Sequence, residues 1–240
     1  MLVTGGGSGI GESIVKDFAR QGAKVGFIDV DEAAAERVVE AVRAEGGDIC
    51  FEKSDVRDVT ALRNAIEAIR KVNGPITILV NNAARDDRHV SEDVTPEYFD
   101  DRIAVNLKHQ FFASQAVLPD MKAAGGGSII CMGSTSWMMG LGGMAVYTAC
   151  KSAILGLTRS LARDYGPFNI RVNSIAPGWI MTDRQLELWM TPENEVIRHE
   201  HQCIKRRLVP KDISRFVLFL CSEEASACTN QSYVVDGGWT

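Results

Sequence analysis

The stretch "YTACKSAILGL" begins at Tyr147 and carries Lys151 four residues on, one helical turn away and on the same face. A free phenol has a pKa of about 10 and is a poor base at neutral pH. An ammonium close by stabilises the phenolate and can turn the pair into a general base. The bland alternative is two long side chains at the edge of a packed helix, each reaching for water. The rest of the chain has to decide between them.

A second chemical feature is the turn "TGGGSGIG", Thr4 to Gly11. Glycines there allow a tight turn and let backbone amides approach a pyrophosphate resting on a helix N-terminus, although many such turns are only turns. Asp29 closes the next apolar run, "VGFID". A carboxylate at that point can accept from both adenosine ribose hydroxyls and repels a 2′-phosphate. No Lys or Arg stands within the glycine turn or directly after Asp29, which favours NAD over NADP. Asp29 could instead cap the following helix, but Asp31 is better placed for that.

Helical and strand patterns alternate along the whole chain. "LVTG", "AKVGFIDV", "DICFEKSDV", "ITILVNNA", "SIICMGS", "NIRVNSIAPG" and "SYVVDGG" read as strands, the first expected to be short because the chain begins almost inside it. Between them lie helices. One starts at Thr95-Pro96 and reads as unbroken up to Gly125, and another holds Tyr147 and Lys151. Near-continuous apolar strands alternating with helices predict a parallel α/β sheet covered on both faces, doubly wound and in one domain spanning 1–240. A polar, tryptophan-containing helical region over 179–208 has the place of a substrate lid. In such a sheet ligands bind at the carboxyl ends of the strands.

The totals agree with this frame. The chain has 240 residues, 45% hydrophobic and 24% charged, enough for a sizeable core. A net charge of -5 argues against a nucleic-acid surface. No apolar run approaches the roughly 20 residues of a membrane span. The N-terminal segment has no basic region followed by a long apolar one, so no secretory signal is expected. Six cysteines without a CxxC pair read as reduced, mostly buried thiols of a cytoplasmic protein. The four histidines offer no metal constellation, and "HEH" at His199 to His201 reads as a solvated helix face.

Taken in order, the motifs resemble the short-chain dehydrogenase/reductase family over essentially the whole length. They are TGxxxGxG at Thr4, Asp55, "NNA" at Asn81, Asn106, Ser134 thirteen residues before Tyr147, YxxxK, "PG" at Pro177, and "VDGG". The family's NNAG has Ala84 in place of its glycine. The resemblance implies a Rossmann-type sheet of about seven strands in the order 3-2-1-4-5-6-7. It implies a catalytic set of Asn106, Ser134, Tyr147 and Lys151. Tyr147 would take a hydroxyl proton as hydride passes to nicotinamide, its phenolate favoured by Lys151 and the positive ring. Ser134 would hold the reacting oxygen, Lys151 would also bond the nicotinamide ribose, and Asn106 would keep a water in the proton path by loosening its helix.

The cofactor contacts implied are Gly5, Ser8, Gly9, Ile10 and Gly11 in the first turn, then Asp29 and Val30, and Asp55 and Val56. Asn82, Ala83 and Ala84 follow, with Pro177, Gly178, Ile180 and Thr182 towards the carboxamide. Family members are often homotetramers, which the long helices holding Asn106 and Tyr147 would join.

Substrate-facing segments should follow "NNA", Ser134 and Pro177. They are unusually polar for an acyl pocket: "RDDRH", "STSWMMG" and "WIMTDRQLELWMTPEN". Sugars need hydrogen-bonding groups and an aromatic face once desolvated. These segments resemble the bacterial aldose 1-dehydrogenases of the family, which implies a pentose or hexose oxidised at carbon one. The alternatives are a 3-oxoacyl-thioester or other carbonyl reductase of the same family and a non-catalytic NAD-binding regulator. Asp86, Ser136, Trp137, Trp179, Arg184 and Trp189 are the candidate sugar contacts. A purely structural use of the same residues is a turn at Asp86-Asp87, an acidic partner for Arg88 and lid packing by Trp189.

Overall fold

The computed structural model describes residues Met1–Thr240. Its strands are β1 (Leu2–Thr4), β2 (Val25–Asp29), β3 (Ile49–Lys53), β4 (Ile78–Asn81), β5 (Gly127–Met132), β6 (Ile170–Pro177) and β7 (Ser232–Val235). They form one seven-stranded parallel sheet in the order β3-β2-β1-β4-β5-β6-β7, as expected. The intervening helices are α1 (Gly9–Arg20), α2 (Glu32–Ala44), α3 (Val59–Asn73), α4 (Pro96–Ile103), α5 (His109–Ala123) and α6 (Ala145–Tyr165). The 179–208 region folds as α7 (Asp183–Leu188) and α8 (Pro192–His201), and α9 (Pro210–Cys221) precedes β7.

Successive strand residues point to opposite faces, so each strand feeds two cores. Leu2, Leu79 and Ile129 pack in one apolar layer with α3, α5 and α6. Their neighbours Val3, Val80 and Ile130 pack in the other, with α1, α2 and α9. Both layers are needed because a parallel sheet carries apolar side chains on either side.

Helix starts follow local chemistry. Asp31 caps α2 by accepting from Ala34 N–H at 2.9 Å, so the cap role belongs to it and not to Asp29. Thr95 caps α4 with Pro96 in the first turn. The helix read as unbroken from Pro96 differs from that expectation: five residues, Ala104–Lys108, form a π turn between α4 and α5, with Asn106 inside it. Widening one turn leaves backbone carbonyls off the regular ladder, a common device at functional sites. Cys203 is exposed, unlike the buried Cys131 and Cys150. His201 is not simply solvated, because its ring stacks on Trp239 at 5.6 Å.

Strand order reverses between β1 and β4, so the connections leaving their carboxyl ends part in opposite directions and open a crevice. Asn82 stitches its floor. Its Nδ2 donates to Gly5 O at 2.8 Å and Thr4 O at 3.1 Å, while Thr4 Oγ1 accepts from the backbone of Asn82 and Ala83. The first turn of α1 sits directly on this stitch, and a Cβ at Gly11 would lie 1.8 Å from Gly5 O. Gly11→Ala should therefore cost about 2–3 kcal/mol by overpacking, read as a lower midpoint in urea denaturation; an unchanged midpoint would show that the turn yields freely.

Candidate active site

Two adjoining cavities lie at the carboxyl ends of the strands. The one beside β1, β2 and β3 measures about 360 Å³ and is lined by Gly5, Ser8, Gly9 and Gly11 from the first turn. Asp29, Val30, Asp55, Val56 and Ala83 complete its walls. The other, about 550 Å³, holds Ser134, Tyr147 and Lys151 with Pro177, Gly178 and Ile180. Ile10, Asn82, Ala84 and Thr182 border both, so the two form a continuous crevice.

The first cavity suits a dinucleotide. Ser8, the cap residue of α1, makes no side-chain cap bond, which leaves the helix N-terminus to an anion such as a pyrophosphate. The glycines are packed from behind: a Cβ at Gly5 would come within 2.9 Å of Ala83 Cα, and one at Gly7 within 2.9 Å of Asp29 Oδ2. Asp29 accepts from Gly7 N–H at 2.8 Å and Asp31 N–H at 3.0 Å, and each oxygen keeps a lone pair for a ribose hydroxyl. Arg57, which the sequence reasoning missed, also lines this cavity. Its guanidinium is committed to Asp55 and to Asp101, both at 2.5 Å. The Arg57 bond holds the Asp55 carboxyl below the usual carboxylate range.

The second cavity is built around Lys151. That side chain is 2% exposed, and its Nζ donates to Met132 O, the last residue of β5, at 2.8 Å. Burial pushes its pKa down to about 8, so the ammonium still dominates at neutral pH. Nζ lies 5.6 Å from the centre of the Tyr147 ring. Tyr147 keeps part of its surface open to the cleft, yet desolvation pushes its hydroxyl up to about 12, with a hydrogen bond from Ser134 pulling the other way. The expected depression of the phenol by Lys151 is not seen within the polypeptide. Burial opposes the phenolate more strongly than the Ser134 hydrogen bond and the Arg88 charge support it, and the Lys151 ammonium is bonded to Met132 O.

Asn106 is fully buried. Its Oδ1 accepts from Arg85 N–H at 2.9 Å and its Nδ2 donates to Arg102 O at 3.0 Å, tying the π turn to the loop after β4. Gln110 Nε2 bridges two carbonyls at 3.3 Å, Asn106 O and the same Met132 O that receives Lys151. Gln110 was not legible as part of the site, because only the π turn brings it to the end of β5.

The outer wall comes from the lid. Arg184 on α7 binds Asp86 at 3.1 Å and Asp87 at 2.7 Å, and Gln185 links Asp86 to the Trp179 indole. Arg88 stacks its guanidinium 4.9 Å from the Trp189 ring centre, in place of an acidic partner. Asp86, Ser136, Trp179, Arg184 and Trp189 all line the cleft, whereas Trp137 does not, and Met139 faces it instead. Trp239, next to last in the chain, also lines it. Asp236 positions that end by accepting from Gly238 N–H and Thr240 N–H, both at 2.8 Å. The "VDGG" motif marked the turn, but nothing in it pointed an indole at the cleft.

This geometry has known counterparts. A family model described as enoyl-(acyl carrier protein) reductase matches residues 5–240. A probable galactose dehydrogenase of Rhizobium meliloti (strain 1021) is 47% identical, covering 99% of this chain and 93% of its own. A D-xylose 1-dehydrogenase of Caulobacter vibrioides is 45% identical, covering 100% of this chain and 94% of its own. Among solved structures, a short-chain dehydrogenase/reductase from Serratia marcescens superposes with a TM-score of 0.92 at 35% identity, covering 99% and 96% of the two chains. A putative short-chain alcohol dehydrogenase from Sinorhizobium meliloti 1021 does so with 0.94 at 33%, covering 99% and 94%. With the crevice, the Ser134–Tyr147–Lys151 cluster and these likenesses in agreement, the chain belongs to the short-chain dehydrogenase/reductase family, oxidoreductases of CH–OH groups that work with a nicotinamide cofactor.

Proposed function

We propose that this enzyme oxidises the anomeric carbon of a pentose or hexose with NAD, releasing the lactone. The observation that carries the reading is the cleft wall facing Tyr147. Asp86, Arg88, Gln185 and Asn194 make that wall polar, and Ser136 Oγ and Trp189 Nε1 in it lack protein partners, beside the indoles of Trp179, Trp189 and Trp239. Polar groups paired with flat apolar faces suit a desolvated sugar and leave an acyl chain with buried polar atoms opposite it. The relatives named for galactose and D-xylose support the same substrate class.

The nicotinamide group, when bound, supplies the hydride acceptor. The residues of this chain do the rest. Ser134 holds the reacting hydroxyl oxygen, and Tyr147 takes its proton as the C–H bond beside it gives up hydride. Tyr147 at about 12 is a proton donor on its own. Ser134 and Arg88 offset part of its desolvation, and the positive charge of the oxidised cofactor, with Lys151 beside it, would supply the remainder. Lys151 Nζ has three donor sites and uses one on Met132 O, leaving donors for the cofactor ribose. Asp29 favours NAD by accepting ribose hydroxyls, and Arg57 is held away from a 2′-phosphate by Asp55 and Asp101.

The same reading makes the enzyme cytoplasmic and a homotetramer. No helix is long and apolar enough to cross a membrane. The exposed Phe111 and the outward Ala149, Ala153 and Gly156 of α6 offer a smooth face to a second copy.

A panel of aldoses and simple alcohols with NAD, followed by nicotinamide absorbance, tests the class; turnover of acyl thioesters alone would overturn it. In the same assay Tyr147→Phe should lose at least about 10³-fold in kcat while NAD binding by calorimetry persists. Asp29→Ala should lower the preference for NAD over NADP by about 10²-fold in kcat/KM, and an unchanged ratio would remove Asp29 from cofactor selection. Lys151→Met should abolish turnover yet raise stability. The folded pKa of Lys151 is about 8 against 10.5 when free, so the unfolded wild type holds more protons between those values and its stability rises with pH there. The advantage of the variant in denaturant titrations should therefore be largest near about pH 7 and shrink towards about pH 9.5.

A further inference from the structure

Most polar side chains on the substrate cleft already have partners. Asp86 accepts from Arg184 and Gln185, Gln185 is bonded at both ends of its amide, and Asn194 Nδ2 donates to Trp189 O at 2.7 Å. Two buried side-chain atoms lining the cleft have none: Ser136 Oγ and Trp189 Nε1. The indole can only donate and the hydroxyl can do both, so an acceptor on the ligand satisfies either atom. On an aldose that acceptor is a hydroxyl.

Ser136 is 5% exposed, so water is a poor substitute partner. Its position relative to the chemistry is set by the "STS" turn. Ser136 N–H donates to Ser134 Oγ at 3.1 Å, which couples it to the residue that holds the reacting oxygen. Thr135 between them also borders the cleft, but its Oγ1 is spent on Pro177 O at 3.3 Å. Ser134 and Ser136 therefore both stand in the cleft wall, two residues apart, with Ser136 Oγ left without a partner.

We propose that Ser136 Oγ hydrogen-bonds the hydroxyl on the ring carbon next to the reacting carbon, making that 2-hydroxyl a requirement for efficient oxidation. This rests on the aldose reading above. A site with a buried polar atom built for a substrate hydroxyl rejects the analogue lacking it far more strongly than an apolar pocket rejects a size change.

The test is kcat/KM for D-galactose and D-xylose against their 2-deoxy analogues, with NAD saturating. The wild type should favour the parent sugars by at least about 10²-fold. Ser136→Ala should bring the parent sugars down towards the deoxy level, with the loss in the sugar's constants and not in the KM for NAD; Ser136→Gly serves if the alanine variant does not fold. A wild type that oxidises parent and deoxy sugars equally overturns the 2-hydroxyl assignment and leaves the aldose reading standing. A preference that survives in the Ser136 variants overturns the role of Ser136. Oxidation of none of the sugars overturns the aldose reading and this assignment with it.

Discussion

Lys151 is a cation held almost out of water by a single carbonyl of the protein, at the end of β5. Desolvation alone would drive such a group towards neutrality, and its pKa does fall to about 8. Cys150, Cys131 and Asp86 pull the other way, and Met132 O accepts from the ammonium at 2.8 Å. The sheet fixes that carbonyl, since β5 is paired on both sides, with β4 and with β6. The carbonyl in turn is shared with Gln110, which reaches it from the first turn of α5, just after the π turn that holds Asn106. Removing regularity from one helix turn thus serves the lysine as well as Asn106.

The same desolvation acts in opposite senses on the two members of the pair. It weakens the ammonium and strengthens the phenol's hold on its proton, so the site formed by the polypeptide is a reservoir of unfavourable burial. A bound positive ring relieves part of it. Chemistry and cofactor binding would be linked for that reason, with the cluster built at the carboxyl end of β5, beside the crevice that opens between β1 and β4. Stability is sacrificed locally where function needs charge in a dry place.

The substrate side is organised differently. Its polar residues are mostly spent on one another: Arg184 and Gln185 of α7 clasp Asp86 and Asp87 of the loop after β4. Arg102, buried beneath that loop, continues the set by binding Asp87 and Asp101, and Arg57 carries it on to Asp55 beside the cofactor cavity. Charged groups that satisfy each other can shape a wall without demanding charge from the ligand. The buried side-chain atoms left without a partner there, Ser136 Oγ and Trp189 Nε1, are neutral, while Arg88 rests on the Trp189 ring.

Alternation of apolar strands and helices, the caps at Asp31 and Thr95, the glycine turn and the spacing of Tyr147 and Lys151 were all determined by the sequence. Each depends on residues within a turn or two of one another, where backbone geometry leaves few choices. The strand order followed from the family motifs and from handedness. The rise of the Tyr147 pKa through burial was not legible, because desolvation is a property of everything packed around a group. Nor were the absence of Trp137 from the cleft wall, the arrival of Trp239 there, or the commitment of Arg57. Those are set by contacts between segments up to hundreds of residues apart in the chain, and only the closed sheet brings them within reach.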